Sequence, residues 1–233
     1  MTSLSLVIPC YNEEANLPLL IPRCAEIAKT SDIEVILVDN GSVDNTPRLL
    51  AELLPNAPGC RSVRVEKNQG YGFGILSGLN AARGELLGWI HADMQTDPLD
   101  AQRGLELFKR YGNNIFVKGR RYGRPLSDVF FTVGMSFFET ILLGRSMWDI
   151  NAQPTLFSRH FFETWHEPPH DFSLDLYVYY QAKHAGLPVH RFPVHFGRRA
   201  YGVSSWNVNW AAKRKFISRT ASFSLEMRRM MKR

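Results

Sequence analysis

The chain has 233 residues, 45% of them hydrophobic, which suits one large α/β domain and excludes a disordered or low-complexity protein. No basic-then-apolar leader opens it, and its longest apolar stretch, Val129 to Gly144, is broken by Thr132, Ser136, Glu139 and Thr140, so no spanning helix is expected. The net charge of +6 is terminal: residues 211–233 hold eight Lys or Arg against one Glu, leaving −1 for the rest.

The first 120 residues alternate short β-branched runs with helical patterns. Leu4–Pro9 reads as a strand, followed by an amphipathic helix from Glu13 to Lys29 with Leu17, Leu20, Ile21, Cys24, Ile27 and Ala28 on one face. Ile33–Asp39 is a second buried strand, and Asp44–Leu54 a helix that Asp44 is placed to cap. Ser62–Glu66, Leu86–Asp93 and Ile115–Lys118 continue as strands, with helices expected over Gly74–Ala82 and Leu99–Tyr111. Such alternation predicts a mostly parallel sheet with helices on both faces, whose ligands bind beyond the carboxyl ends of its strands. Those ends are Tyr11–Glu13, Asp39–Asp44, Asn68–Gly72 and His91–Gln95. Beyond Arg121 the pattern changes to an apolar helix over Leu126–Leu143, a strand pair or loop over Trp148–Ser158, a helix over Leu174–Ala185, a strand over Val189–Phe196 and a basic helix over Asn207–Arg233. Cys10, Cys24 and Cys60 are odd in number and lack metal spacing, which suits a reducing compartment; the expected location is cytoplasmic.

Chemistry concentrates in Trp89-Ile90-His91-Ala92-Asp93-Met94-Gln95-Thr96-Asp97-Pro98. If the extended form persists, His91, Asp93 and Gln95 point the same way. Asp93 and Gln95 suit Mg²⁺ or Mn²⁺ completed by phosphate oxygens and water, and His91 tilts the choice towards Mn²⁺. Asp97 reads as the cap of the following helix. In Val38-Asp39-Asn40-Gly41-Ser42-Val43-Asp44, a carboxylate at a strand end can accept from a ribose or base edge, or serve the turn and the helix cap. Asn68-Gln69-Gly70-Tyr71-Gly72-Phe73-Gly74 follows the third strand, not the first, so it is not a dinucleotide fingerprint; its backbone can still approach a diphosphate. No phosphate-cradling G-x-x-x-x-G-K-[ST] occurs.

Taken in order, these pieces resemble the family 2 glycosyltransferases of the GT-A fold, and within them the dolichol-phosphate mannosyltransferase-like branch. The likeness runs through Val7–Glu14, Asp39–Thr46, Asn68–Gly72 and Ala92-Asp93-Met94-Gln95, and resumes at Gly119–Tyr122 and Arg198–Ser205. It implies a glycosyltransferase domain over residues 1–205 with a basic amphipathic helix, 206–233, as part of the same unit. It implies that Pro9, Tyr11 and Glu13 line the base pocket, with Asp39 and Asp44 near the nucleoside and Gly72 near the donor. Asp93 and Gln95, with His91, would hold the metal. Arg121 and Arg199, with Ser204, would receive the phosphate of a polyprenyl-phosphate acceptor, since Arg grips phosphate with a planar fork. The chain departs from the family at His91, where Asp is usual, at Asn40, where a second Asp is common, and at Ser205, where Lys often stands.

The reaction so implied is inverting transfer of a hexose from GDP-mannose or UDP-glucose to a lipid phosphate, which is anionic already and needs no general base. For a hydroxyl acceptor, Asp149 is the candidate base. A sugar-hydroxyl acceptor and a catalytically silent nucleotide-sugar binder are the alternatives. Nucleic-acid binding is not expected, because the terminal cations lie among large apolar residues with no base-reading motif. The 126–143 helix, with Phe130, Phe131, Val133, Phe137, Phe138, Ile141, Leu142 and Leu143, is expected either to pack in a core or dimer or to touch a membrane. The final helix, with Trp206, Trp210, Phe216, Ile217, Phe223 and Met227, reads as interfacial or simply solvated, so any attachment is peripheral. Nothing in the sequence sets the oligomeric state.

Overall fold

The computed structural model describes residues 3–30, 32–201, 214, 218, 222–225 and 228. Seven strands form one sheet: β1 (Leu4–Cys10), β2 (Ile33–Asn40), β3 (Cys60–Val65), β4 (Leu86–Trp89), β5 (Phe116–Tyr122), β6 (Thr155–Ser158) and β7 (Val189–His195). Their order is β3-β2-β1-β4-β6-β5-β7. All pairings are parallel except those of β6, which runs antiparallel to both β4 and β5. The helices are α1 (Leu17–Thr30), α2 (Thr46–Leu53), α3 (Tyr71–Ala81), α4 (Asp100–Tyr111), α5 (Leu126–Leu143), α6 (Arg159–Phe162) and α7 (Leu174–His184).

Strand alternation explains the two cores. Leu4, Leu6 and Ile8 of β1 and Ile33, Val35 and Leu37 of β2 face α1, packing with Leu17, Leu20 and Cys24. Val7, Ile36 and Val38 point the other way, to Ile75 and Leu79 of α3 and to the aromatic cluster of Trp89, Phe116, Phe157 and Tyr179. Such two-sided burial makes near-continuous apolar strands read as parallel ones. Pro9 sits where a central strand can tolerate it. The carbonyl of Val7 accepts from Ile90, so odd positions of β1 face β4, and β4 has ended at Trp89, opposite Val7.

β4 is shorter than the Leu86–Asp93 expected. Asp93 Oδ1 accepts from the Gln95 amide at 3.1 Å and Met94 takes φ +58°, so the chain turns where extension was assumed. The strand pair or loop expected over Trp148–Ser158 resolves into the single strand β6, and the short helix α6 has no counterpart among the expectations. The helix α5 has the expected bounds, capped by Gly144 at φ +65°. Its Leu143 is buried, but Leu126, Phe130, Phe137 and Ile141 stand in solvent at 65–86% exposure. That face therefore does not pack against the core of the described residues. No helix among the described residues is long and apolar enough to cross a membrane. Residues 222–225 are helical, but Trp206, Trp210, Phe216, Ile217, Met227 and the 205/206 boundary lie outside the described residues.

Candidate active site

Two loops at the carboxyl ends of β1 and β2 are stitched together. Asn12, at φ +56°, donates its amide to Ser42 Oγ at 3.0 Å and accepts from the Val43 amide at 2.9 Å. The Glu13 amide donates to Thr46 Oγ1 at 2.8 Å, and Glu14 accepts both the backbone and side-chain N–H groups of Asn45. Asp44 accepts from the amides of Thr46 at 2.9 Å and Glu14 at 3.2 Å, so it ties the two loops; the cap expected of it falls instead on Asn45, where α2 begins one residue later. Tyr11, next to this frame and two residues after Pro9, is 46% exposed.

Asp39 lies within the frame, 2% exposed. Its Oδ1 accepts from the Ser42 amide at 3.0 Å, while Oδ2 is buried without a hydrogen-bond partner, and the nearest cation, Arg64, stands 3.9 Å away. A buried carboxylate oxygen left open at a strand end is free for a ligand donor. Asn40 explains one departure from the family pattern. Its Nδ2 donates to the Gly70 carbonyl at 2.9 Å, a bond an aspartate cannot make.

Gly72 corrects an expectation. A Cβ there would meet the Pro169 carbonyl at 2.5 Å, so the close approach this glycine permits is to the chain's own 169–171 segment rather than to a donor. Gly70, at φ +114°, is closed over by the His170 carbonyl in the same way.

Asp93 is 4% exposed, with Oδ1 held by the turn and Oδ2 bound by Arg199 Nη2 at 3.0 Å. Gln95 commits only its nitrogen end, Nε2 donating to the Gly197 carbonyl at 3.1 Å. His91 has one ring nitrogen engaged by α3. Its Nε2 is 2.9 Å from the Tyr71 hydroxyl, which also accepts from Gln153 at 3.0 Å and whose ring stacks on Phe172. Burial pushes the imidazole below its ordinary value, outweighing the pull of Asp93 and Asp175. Among the described residues, no group of three His, Cys, Asp or Glu side chains could cage a metal. The residues present therefore fit a hard dication that takes one carboxylate and an amide oxygen from the protein and the rest from phosphate and water. The guanidinium already on Asp93 marks the spot as one that stabilises positive charge. Glu13 is nearby, its carboxyl raised by burial and by the negative charge of Asp93.

A cationic cluster stands at the end of β5. Arg121 donates Nε to Asp149 Oδ1 at 2.9 Å, with Nη2 on the same oxygen, and its guanidinium lies over the Phe196 ring. Arg124, missed at the sequence level, stands 3.9 Å from the same carboxylate with its side chain 7% exposed and Nε unpartnered. Two arginines sharing one aspartate leave a positive charge over. Burial alone would raise the Asp149 carboxyl, but Arg121 and Arg124 outweigh it and hold it below the usual range. Asp149 is thus committed to an ion pair with both arginines. Ser204 lies outside the described residues.

Behind the site, fully buried Lys118 donates to Thr155 Oγ1 at 2.8 Å between the rings of Phe116 and Tyr179; burial pushes its ammonium down to about 7. Tyr71, Gln153, Asp175 and Lys118 were not singled out from sequence. Only Tyr71, inside the glycine-rich turn, carried a signal.

A profile of glycosyl transferase family 2 matches residues 5–183. Undecaprenyl-phosphate 4-deoxy-4-formamido-L-arabinose transferase of Photorhabdus laumondii is 31% identical over 166 residues, spanning 68% of this chain and 50% of that protein. Its counterpart in Yersinia enterocolitica is 32% identical over 167 residues with the same coverage. The chain thus spans about half the length of the curated relatives it matches. Among solved structures, glucosyl-3-phosphoglycerate synthase from Mycobacterium tuberculosis, in complex with Mn²⁺, UDP and glucosyl-3-phosphoglycerate, superposes with TM-score 0.71 at 20% identity, over 97% of this chain and 80% of that one. The mannosyltransferase PcManGT from Pyrobaculum calidifontis, with GDP-Man and Mn²⁺, gives 0.65 at 16% identity, over 85% and 58%. The fold is the one the sequence pattern pointed to.

Proposed function

The chain belongs to glycosyl transferase family 2, and from that premise we propose that it transfers a hexose from a nucleotide diphosphate sugar to a polyprenyl phosphate. The observation that carries this reading is the pairing of two sites at the carboxyl ends of the strands: buried carboxylates at Asp39, with one oxygen open, and at Asp93, which a guanidinium holds, and a cationic cluster at Arg121 and Arg124. The relatives named for undecaprenyl-phosphate transfer support the acceptor class. GDP-mannose and UDP-glucose are the leading donors.

In this reading Tyr11 and Pro9 cover the base, and Asp39 Oδ2 accepts from the nucleoside. Asp93 and Gln95 hold Mg²⁺ or Mn²⁺, which supplies charge neutralisation on the departing diphosphate. The surplus charge of Arg121 and Arg124 receives the acceptor phosphate and orients an oxygen towards the anomeric carbon. That oxygen is anionic at neutral pH, so no residue need remove a proton, consistent with Asp149 being locked in its ion pair. Direct displacement of this kind inverts the anomeric centre. The exposed apolar side of α5, with Phe130, Phe137 and Ile141, begins four residues after Tyr122 and suits peripheral contact with the bilayer holding the lipid tail.

The test is acceptor choice. With labelled donor and Mn²⁺, label should pass to a short polyprenyl phosphate and not to the matching polyprenol, with inversion in the product. Transfer to the polyprenol or to a sugar hydroxyl instead would reject the lipid-phosphate acceptor. Retention for an α-linked donor would reject direct displacement.

A further inference from the structure

The side chain that blocks Asp93 belongs to the segment assigned to the acceptor. Arg199 follows β7 by four residues, and the path to it is clamped to the metal motif twice: the Gly197 amide donates to the Gln95 carbonyl at 2.8 Å, and Gln95 Nε2 returns a bond to the Gly197 carbonyl at 3.1 Å. The third contact is the Arg199–Asp93 ion pair at 3.0 Å, between a guanidinium 30% exposed and a carboxylate 5% exposed. Both oxygens of Asp93 are thereby occupied, one by its own turn and one by a cation. A dication cannot take Oδ2 while a guanidinium holds it, because two cations would crowd one carboxylate oxygen. An Asp93 left bare would be a buried, unpaired charge next to Glu13, a costly arrangement.

We propose that Arg199 is an exchangeable placeholder for the divalent cation: it neutralises Asp93 until the metal arrives, and is then released to bind an anionic phosphate. The proposal rests on the reading of Asp93 as the metal carboxylate. It deepens that reading by linking the donor and acceptor sites through one side chain with two alternative partners. The linkage has a direction. Metal entry creates a free guanidinium beside the cleft, so the acceptor phosphate binds more tightly after metal and donor than before them. Reciprocity requires that an anion holding Arg199 away from Asp93 tighten the metal by the same factor. The clamp at Gly197 keeps the released side chain within reach of the site. It also explains how a metal motif with one carboxylate avoids an unpaired charge when empty. Arg199 is in this sense a positioning residue for the metal as well as a ligand for phosphate.

The experiment measures Mn²⁺ affinity of the full chain without donor, from the free-Mn²⁺ electron paramagnetic resonance signal, in wild type, Arg199→Gln and Arg199→Lys. Removing the competing cation in Arg199→Gln should tighten Mn²⁺ by about tenfold, the scale of a lost charge-assisted hydrogen bond to a buried carboxylate. Arg199→Lys keeps a competing cation and should stay within about threefold of wild type. Unchanged or weaker Mn²⁺ binding in Arg199→Gln overturns the exchange and leaves the metal reading intact. Absence of Mn²⁺ binding to all three proteins, even with UDP or GDP present, overturns the metal reading and the exchange together. The unaltered protein gives a second readout that needs no variant. Phenylglyoxal labelling of Arg199, followed by peptide mass, should accelerate severalfold at saturating Mn²⁺, and a rate independent of Mn²⁺ contradicts the exchange.

Discussion

Asp149→Asn removes a buried negative charge that Arg121 and Arg124 share. The aspartate is 2% exposed in its side chain and the arginines 12% and 7%, so this cluster belongs with buried ion pairs, not with surface pairs worth about 0–1 kcal/mol. Breaking one side of such a pair costs about 3–5 kcal/mol. The more distant Arg124, at 3.9 Å, alone feels roughly 4 kcal/mol of attraction at an effective dielectric of 20, and once the carboxylate is neutral the two guanidinium groups repel. Asn keeps the volume and one acceptor for Arg121, returning about 1 kcal/mol. A net loss of about 3 kcal/mol follows, which for a chain of this size lowers Tm by roughly 6–12 °C. Differential scanning calorimetry at pH 7 reads it directly. The pH dependence has a defined sign. The folded carboxyl is held below its unfolded value of about 3.9, so the stabilisation is complete above that value and is lost as pH falls through the folded one. The gap between wild type and variant should therefore close in acid. A drop under about 2 °C at pH 7, or a gap that widens in acid, would refute the shared buried charge.

Asp39→Asn should leave the fold nearly as stable, because Oδ2 accepts no hydrogen bond and its one ion pair, to exposed Arg64 at 3.9 Å, is weak, while weakening nucleoside diphosphate binding about 10–100-fold by isothermal calorimetry; unchanged affinity would remove Asp39 from the donor site. Glu139 of α5 is fully buried, accepts from Ser224 Oγ at 2.8 Å, and is raised by burial to about 7. An acid raised on folding costs stability as pH climbs from its unfolded value of about 4.3 through the folded one. Wild-type Tm should accordingly fall between pH 5 and pH 8 relative to Glu139→Gln, with a difference of up to about 3 kcal/mol, and parallel curves would show that the carboxyl is ionised freely in the fold.

The centre of the sheet was legible because β1, β2 and β4 are buried on both sides. The β-branched runs of β1 and β2 and the polar residues ending them need no long-range information. Asp39 and Asp93 stood out for the same reason, as carboxylates closing apolar strands. What was not legible depends on contacts across the chain. His91 is drawn to Tyr71, 20 residues away, and Tyr71 to Gln153, 82 residues away, so strand alternation could not show that one ring nitrogen of His91 is engaged there. Gly72 looked like a phosphate turn because a close approach needs glycine whatever approaches, and only the fold shows that the 169–171 segment fills the space. Asp149 read as a base candidate because a sequence shows a carboxylate but not the two arginines neutralising it. That the expected strand pair or loop would be the antiparallel strand β6 was not legible, because four residues running against their neighbours carry little pattern of their own.

The most direct test of the central claim is label transfer from GDP-mannose and UDP-glucose to a short polyprenyl phosphate, with Mn²⁺ or Mg²⁺ and then with EDTA, in wild type and Asp93→Ala. The account predicts a glycolipid from one of these donors, formed only with the metal and lost in Asp93→Ala. Undiminished transfer in EDTA or in Asp93→Ala, or nucleotide-sugar binding with no transfer to any acceptor, would contradict it.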